Sequence, residues 1–226
     1  QVPPGMQLAA TADTLNAGVH FPEATAPADI GWKSLAVNLS DLAAMGATPA
    51  WCTLSLSLPE AEGSWVDAFL DGFLDLADQH AIALVGGDTT RGPLSISVTA
   101  MGLLETGSAL RRDGARVGDD LWVTGTLGDA AAALEVLLAG GEVSAFLRKR
   151  LDRPTPRVEA GRRLSGLAHS CIDLSDGLLA DLAHVCERSG VGAEIELGKL
   201  PTSIDLAALG PDERMRWQAS GGDDYE

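Results

Sequence analysis

The stretch Ala36-Val37-Asn38-Leu39-Ser40-Asp41-Leu42-Ala43-Ala44-Met45-Gly46 reads as the end of an apolar helix over Ile30–Met45. Gly46 closes it as a C-terminal cap. Asn38 and Asp41 stand three residues apart, so they share one face amid residues that belong in a core. An acid inside an apolar helix is unfavourable unless a cation meets it. No Lys or Arg follows until Arg91, so no nearby downstream ion-pair partner exists. Asp41 therefore points to a metal-filled cleft on which other acidic motifs converge.

Those motifs are Asp13, Asp88 and the Asp173/Ser175/Asp176 group. Carboxylates beside hydroxyls are hard oxygen ligands suited to Mg²⁺. Gly86-Gly87 lets the backbone approach an oxyanion ahead of Asp88, and Thr89 and Thr90 offer donors. Taken one at a time, such acids more often cap helices or shape turns, as Asp176 would. Their repetition at four element ends is what favours a site. One echo reads as a duplication, as two lobes offering similar acidic edges to one cleft, or as coincidence, since the intervening segments differ: Asn38-Leu-Ser-Asp41 with Gly86-Gly-Asp88, and Asp173-Leu-Ser-Asp176 with Gly221-Gly-Asp223, both span 47 residues from acid to acid.

The chain of 226 residues is 46% hydrophobic and 21% charged, sized for one large domain or two ordinary ones. Its formal charge of −16 argues against nucleic acid and suits anionic ligands that arrive with Mg²⁺. Cys52, Cys171 and Cys186 show no metal spacing and read as free thiols of a reducing cytosol. The most apolar stretch, Ala130–Gly140, is broken by Glu135 and too short for a bilayer, and no signal peptide is visible. Both ends, Gln1 and Glu226, read as cut.

Strands are expected at Met6–Ala12, Trp51–Leu58, Ile82–Val85 and Leu94–Leu104, and a helix from Ser64 to His80. Residues 107–118, rich in Gly, Arg and Asp, separate a first domain, 1–106, from a second, 119–226. In the second, strands are expected at Leu121–Thr124, Ser170–Leu174 and Gly192–Leu197. Helices are expected at Ala130–Leu138, Ser144–Leu151, Arg157–Leu167, from Gly177 to Ser189, and at Pro211–Trp217. Without a strict βαβ rhythm the class is α+β. Gly125–Gly128 offers a weak phosphate site at a helix start, lacking a P-loop Lys. Arg111 and Arg112 either clamp a phosphate or stand solvated. No Ser-His-Asp or Cys-His set can be assembled.

Taken together, Asp13-Thr14 with Gly18-Val19-His20-Phe21, Val37–Pro49, Gly86–Gly92, Ile172–Gly177 and Ser220–Glu226 resemble the thiamine-monophosphate kinases. These belong to the superfamily of aminoimidazole ribonucleotide synthetase. The resemblance implies a cytoplasmic homodimer, with an N-terminal domain that dimerises through a shared β-barrel and a C-terminal α/β domain. It implies transfer of the γ-phosphate of ATP to thiamine phosphate, with several Mg²⁺ ions. By the same resemblance Thr11, Ala12, Asp13, Asp41, Asp88, Asp173 and Asp176 would hold Mg²⁺. Gly87, Asp88, Arg112 and Ser175 would meet ATP, and His20 and Asp223 thiamine phosphate. Ala12 stands where relatives often carry Ser or Thr, which leaves only its carbonyl as a ligand. Asp223 replaces a common Glu and has a shorter reach. The family's N-terminal Gly-Asp-Asp segment and C-terminal substrate-binding aromatic lie outside this chain. The alternatives are another ATP-using enzyme of the superfamily, aminoimidazole ribonucleotide synthetase-like or selenophosphate synthetase-like, and a non-catalytic nucleotide- and Mg²⁺-binding dimer module.

Overall fold

The structure, a computed structural model, describes residues 2–226. Its first half is a four-stranded sheet with two helices on one face. The strands are β1 (Met6–Asn16), β2 (Thr48–Leu58), β3 (Ala83–Arg91) and β4 (Ser95–Glu105), in the spatial order β1-β4-β2-β3. The β4 pairings are antiparallel, whereas β2 and β3 run parallel across helix α2 (Gly63–Gln79), as a crossover requires.

Alternation decides which side chains meet the helices. Cys52, Leu54, Leu56 and Leu58 of β2 and Ile96, Val98 and Ala100 of β4 are buried on the helix side. Small polar residues such as Thr53, Ser55, Ser97 and Thr99 occupy the other face. Helix α1 (Pro27–Ala44) packs on the apolar face together with α2, whose Phe69 and Phe73 are fully buried. Leu35, Leu39 and Leu42 of α1 are also fully enclosed, and burying each contributes about 1.5–3 kcal/mol. The helix ends where expected: Gly46, at φ +72°, sends its N–H back to the Ala43 carbonyl.

Several expected elements differ. Gly86–Thr90 is not a loop after a short buried strand but the body of β3, which is exposed along its whole length. The sheet is open, with β1 and β3 at its edges, so one chain does not close a barrel.

The second half has no strand among the described residues. Residues 121–124, 170–174 and 192–197, expected as strands, carry no paired ladder, and a strand exists only where a neighbour pairs along it. Leu174, for example, bonds only to Tyr225 and Glu226. The half consists instead of α3 (Asp129–Leu138), α4 (Ala145–Asp152), α5 (Val158–Leu164), α6 (Leu178–Ser189), α7 (Ile204–Ala207) and α8 (Pro211–Ser220). Small apolar clusters join α3 to α4, and α3 to α7 and α8.

A buried ion network holds these pieces together. The Arg150 guanidinium reaches Glu226 at 2.8 Å, Asp129 at 3.6 Å and Asp224 at 4.0 Å, and donates to the Asp224 carbonyl at 3.1 Å. Arg157 also pairs with Glu226. The two halves meet across α1, where Trp32 Nε1 donates to the Pro154 carbonyl at 2.9 Å and Arg153 pairs with Asp29. Among the described residues, no helix is long and apolar enough to cross a membrane.

Candidate active site

The register of β1 builds one wall. Asp13 lies opposite Val98 and Thr11 opposite Ala100, both on the helix side of the sheet. There the Thr11 hydroxyl donates to the Asp41 carboxylate of α1. One residue earlier on α1, the Ser40 hydroxyl donates to Asp173 Oδ2 at 2.8 Å, which draws the loop before α6 onto the same helix. Asp41 thus lies within the field of Asp13 from its own half and of Asp173 from the second. Burial, followed by the charge of Asp41, raises the Asp13 carboxyl above the usual range, against the opposing effect of His20. Burial and then Asp41 push Asp173 up to about 6, although the Ser40 bond favours its ionised form. Among the described residues no Lys or Arg forms a salt bridge to any of the three.

The donor set, carboxylates with neighbouring hydroxyls, fits Mg²⁺. No three acidic, His or Cys side chains among the described residues cage an ion by themselves. Thr11 and Asp41 open onto a cavity of about 300 Å³. Arg112 and Cys171 line it too, with Met45 and Leu110 as its apolar wall. A roomier hollow of about 420 Å³ beside Arg111 and His169 touches none of the expected ligands.

A second cluster is built around Asp223. Its N–H bonds to the Ser175 carbonyl at 2.9 Å, so the Ser175-Asp176 loop and the Gly-rich motif travel together. Asp223 Oδ2 lies 3.1 Å from Lys33 Nζ, and Oδ1 accepts from the Tyr225 hydroxyl at 3.0 Å. His20 is exposed, its Nδ1 accepting from the Asn16 N–H at 3.0 Å, and its carbonyl accepts from Lys33 at 3.2 Å.

Other expected residues lie apart from this cluster. Asp88 is registered with Ser55, on the face of the sheet that looks away from the helices, and its carboxylate accepts from the Thr89 N–H. Ala12 lies opposite Thr99 on that same outer face. Gly87 is pressed onto β2: a Cβ there would stand 1.8 Å from the Leu54 carbonyl oxygen, so the glycine is required for strand pairing. Asp176 is exposed and does not cap α6; Asp181 of the first turn takes the N–H groups of Ser175, Asp176 and Gly177 instead.

The start of α3 is not a phosphate site. The Gly128 N–H donates to Asp224 at 2.7 Å, and Glu226 fills the space beside Gly125. The 47-residue echo has no structural counterpart, since Asp41 sits in a helix and Asp88 in a strand, whereas Asp176 and Asp223 lie in irregular loops. Arg111 is spent on Asp113 at the surface. Lys33, Tyr225 and Asp181 escaped the sequence reading. Lys33 alone gave a signal, as the one cation within the apolar helix.

Residues 1–104 match the AIR synthase related protein N-terminal domain, and residues 116–222 the C-terminal domain. The thiamine-monophosphate kinase of Escherichia coli K12 is 48% identical over 231 residues, covering 100% of this chain and 71% of that protein. The chain belongs to the thiamine-monophosphate kinase family. Within that family, the crystal structure from Stenotrophomonas maltophilia K279a superposes with a TM-score of 0.96 at 59% identity, over 100% of this chain and 74% of that one. AaThiL complexed with AMPPCP and TMP superposes with a TM-score of 0.92 at 38% identity, over 99% and 74%. The family thus includes a member that holds an ATP analogue and TMP together.

Proposed function

We propose that this protein transfers the γ-phosphate of ATP to thiamine phosphate, yielding thiamine diphosphate and ADP. The observation that carries the reading is the meeting of Asp13, Asp41 and Asp173, drawn from both halves, next to the His20–Asp223 end. Such a site is suited to two anions held together by cations.

The second pKa of a phosphate monoester is about 6, so at neutral pH the acceptor oxygen is already deprotonated. No general base is needed. The difficulty is repulsion, because ATP and the acceptor together bring roughly six negative charges. Mg²⁺, when bound, would supply charge neutralisation. Asp13, Asp41 and Asp173 would hold it, with Thr11, Asp176 and the Ala12 carbonyl as further oxygen ligands. Arg112, Gly87 and Ser175 meet the nucleotide, while His20 and Asp223 meet the acceptor. In-line placement by these groups supplies the remainder of the rate.

In this reading a second copy covers the outer face of the sheet and completes a shared barrel. Exposed Leu84 and Val85 on the β3 edge favour that, and Asp88 on the outer face would then face the second copy. The domains divide at 1–106 and 119–226, with 107–118 as linker. The three free cysteines suit the cytoplasm.

Isothermal titration with ATP and Mg²⁺, followed by ADP release with and without thiamine phosphate, tests the proposal. ADP release that depends on thiamine phosphate is expected. ADP release indifferent to it would overturn the assignment, and a phosphorylated protein trapped with ATP alone would overturn direct transfer.

A further inference from the structure

Lys33 has no role in the chemistry above, yet it is among the most enclosed side chains in the molecule. Its side chain is 2% exposed and lies deep in α1. Its ammonium meets two partners, the His20 carbonyl of the first half and the Asp223 carboxylate of the second. The other Asp223 oxygen is held by the Tyr225 hydroxyl, so both oxygens of one carboxylate are fixed.

The backbone there is unusual. Asp223 has φ +67° and Tyr225 φ +53°, a left-handed conformation that non-glycine residues adopt only when their surroundings enforce it. Lys33 and Tyr225 provide side-chain partners on either side of Asp223. A buried ammonium is an unfavourable way merely to join two segments, since apolar side chains of like volume often serve as well or better. What it adds is orientation: one cation fixes a backbone carbonyl and a carboxylate from opposite halves at a set separation.

We infer that Lys33 is a positioning residue for the acceptor, holding His20 and Asp223 in register so that the site discriminates its phosphate-bearing acceptor. The inference rests on the kinase reading and names a residue that this reading leaves idle. Lys33 acts through His20 and Asp223 and touches none of Arg112, Thr11 and Asp41, which line the cavity together. Its loss is therefore expected to weaken use of the acceptor and to spare the nucleotide.

Steady-state kinetics of Lys33→Gln in the full-length protein provide the test. The KM for thiamine phosphate should rise about tenfold or more while the KM for ATP stays within about twofold. A merely structural role would move both constants or neither, and either outcome overturns the inference. Because Lys33→Gln leaves Asp223 without its cation, a second variant, Lys33→Gln/Asp223→Asn, removes both charges. Its acceptor KM should match that of Asp223→Asn alone within about twofold, since one residue works through the other. Multiplying losses would overturn the inference. If the unsubstituted protein forms no thiamine diphosphate, the kinase reading fails and this inference with it. If it does, and Lys33→Gln keeps its acceptor KM, the inference alone fails.

Discussion

The two halves of the molecule solve the same problem in opposite ways. The first half rests on one continuous apolar core between a sheet and two helices, with Leu35, Leu39, Leu42, Phe69 and Phe73 fully buried. The second half has only small apolar clusters, and a buried arginine shared among three carboxylates ties its helices together. The apolar half offers a stiff platform on which β1 and α1 hold Asp13 and Asp41. The polar half delivers Asp173 and Asp223 from loops, whose position depends on charge and hydrogen bonding. A site that must accept two repelling anions thus has one wall set by packing and another set by electrostatics.

The sharpest way to break this contrast is Arg150→Met. It leaves Asp129 and Asp224 buried without their cation, and removing one member of a buried ion network costs about 3–5 kcal/mol. Hydrogen exchange should show loss of protection concentrated in α3, α4 and α8, with β1, β2 and β4 nearly unchanged. Uniform loss across both halves would mean that they are one cooperative unit and that the distinction is false.

Next in size is Asp41→Asn. Turnover should fall by about tenfold or more, equivalent to at least about 1.4 kcal/mol in the transition state. The melting temperature should hold or rise, because the charge of Asp41 opposes ionisation of Asp13 and Asp173. Near-normal turnover at saturating Mg²⁺ would remove the metal-based account. Asp88→Asn sharpens the comparison from the outer face. It should depress turnover by a similar factor, and a mixture of the two inactive variants should regain activity if Asp88 acts across a pair of chains. Failure to regain it would place Asp88 in the site of its own chain.

The smallest effect concerns pH. Burial, with Asp129 and Glu226 nearby, pushes the Asp224 carboxyl up to about 7, against the Gly128 N–H and Arg150. The folded state therefore holds a proton that the unfolded chain releases near its ordinary value of 3.8. Between these values stability falls as pH rises, and above about 7 the full penalty of ionising a buried acid applies. Asp224→Asn removes that penalty while keeping an acceptor for Gly128. It should raise the melting temperature by about 2–4 °C at pH 8 and have less effect at pH 5. An unchanged difference between the two pH values would show that Asp224 does not titrate in this window.

The same contrast explains what could be read from sequence. Elements of the apolar half were legible because periodicity reports burial: the alternation of β2 and β4 and the continuous apolar run of α1 each imply their own packing. The exposure of β3 was not legible, since Ala83–Val85 reads as core unless the sheet edge is known. In the second half, extended segments such as Ser170–Leu174 carry strand-like composition but find isolated backbone partners rather than a ladder. The site divided in the same way. Asp41 drew attention as an acid in an apolar helix, and Asp13 as an acid beside a Gly-containing loop. That Arg150 reaches Asp224 and Glu226, or that Lys33 reaches Asp223, depends on contacts across 74 to 190 residues, which no local pattern encodes.

Acids from both halves serve one site. A double-mutant cycle on thiamine diphosphate formation with Asp41→Asn, Asp173→Asn and the pair tests it directly. Strong non-additivity is expected, with the double variant within about threefold of the worse single variant. Losses that simply multiply would mean that the two carboxylates act at separate places, and would contradict it.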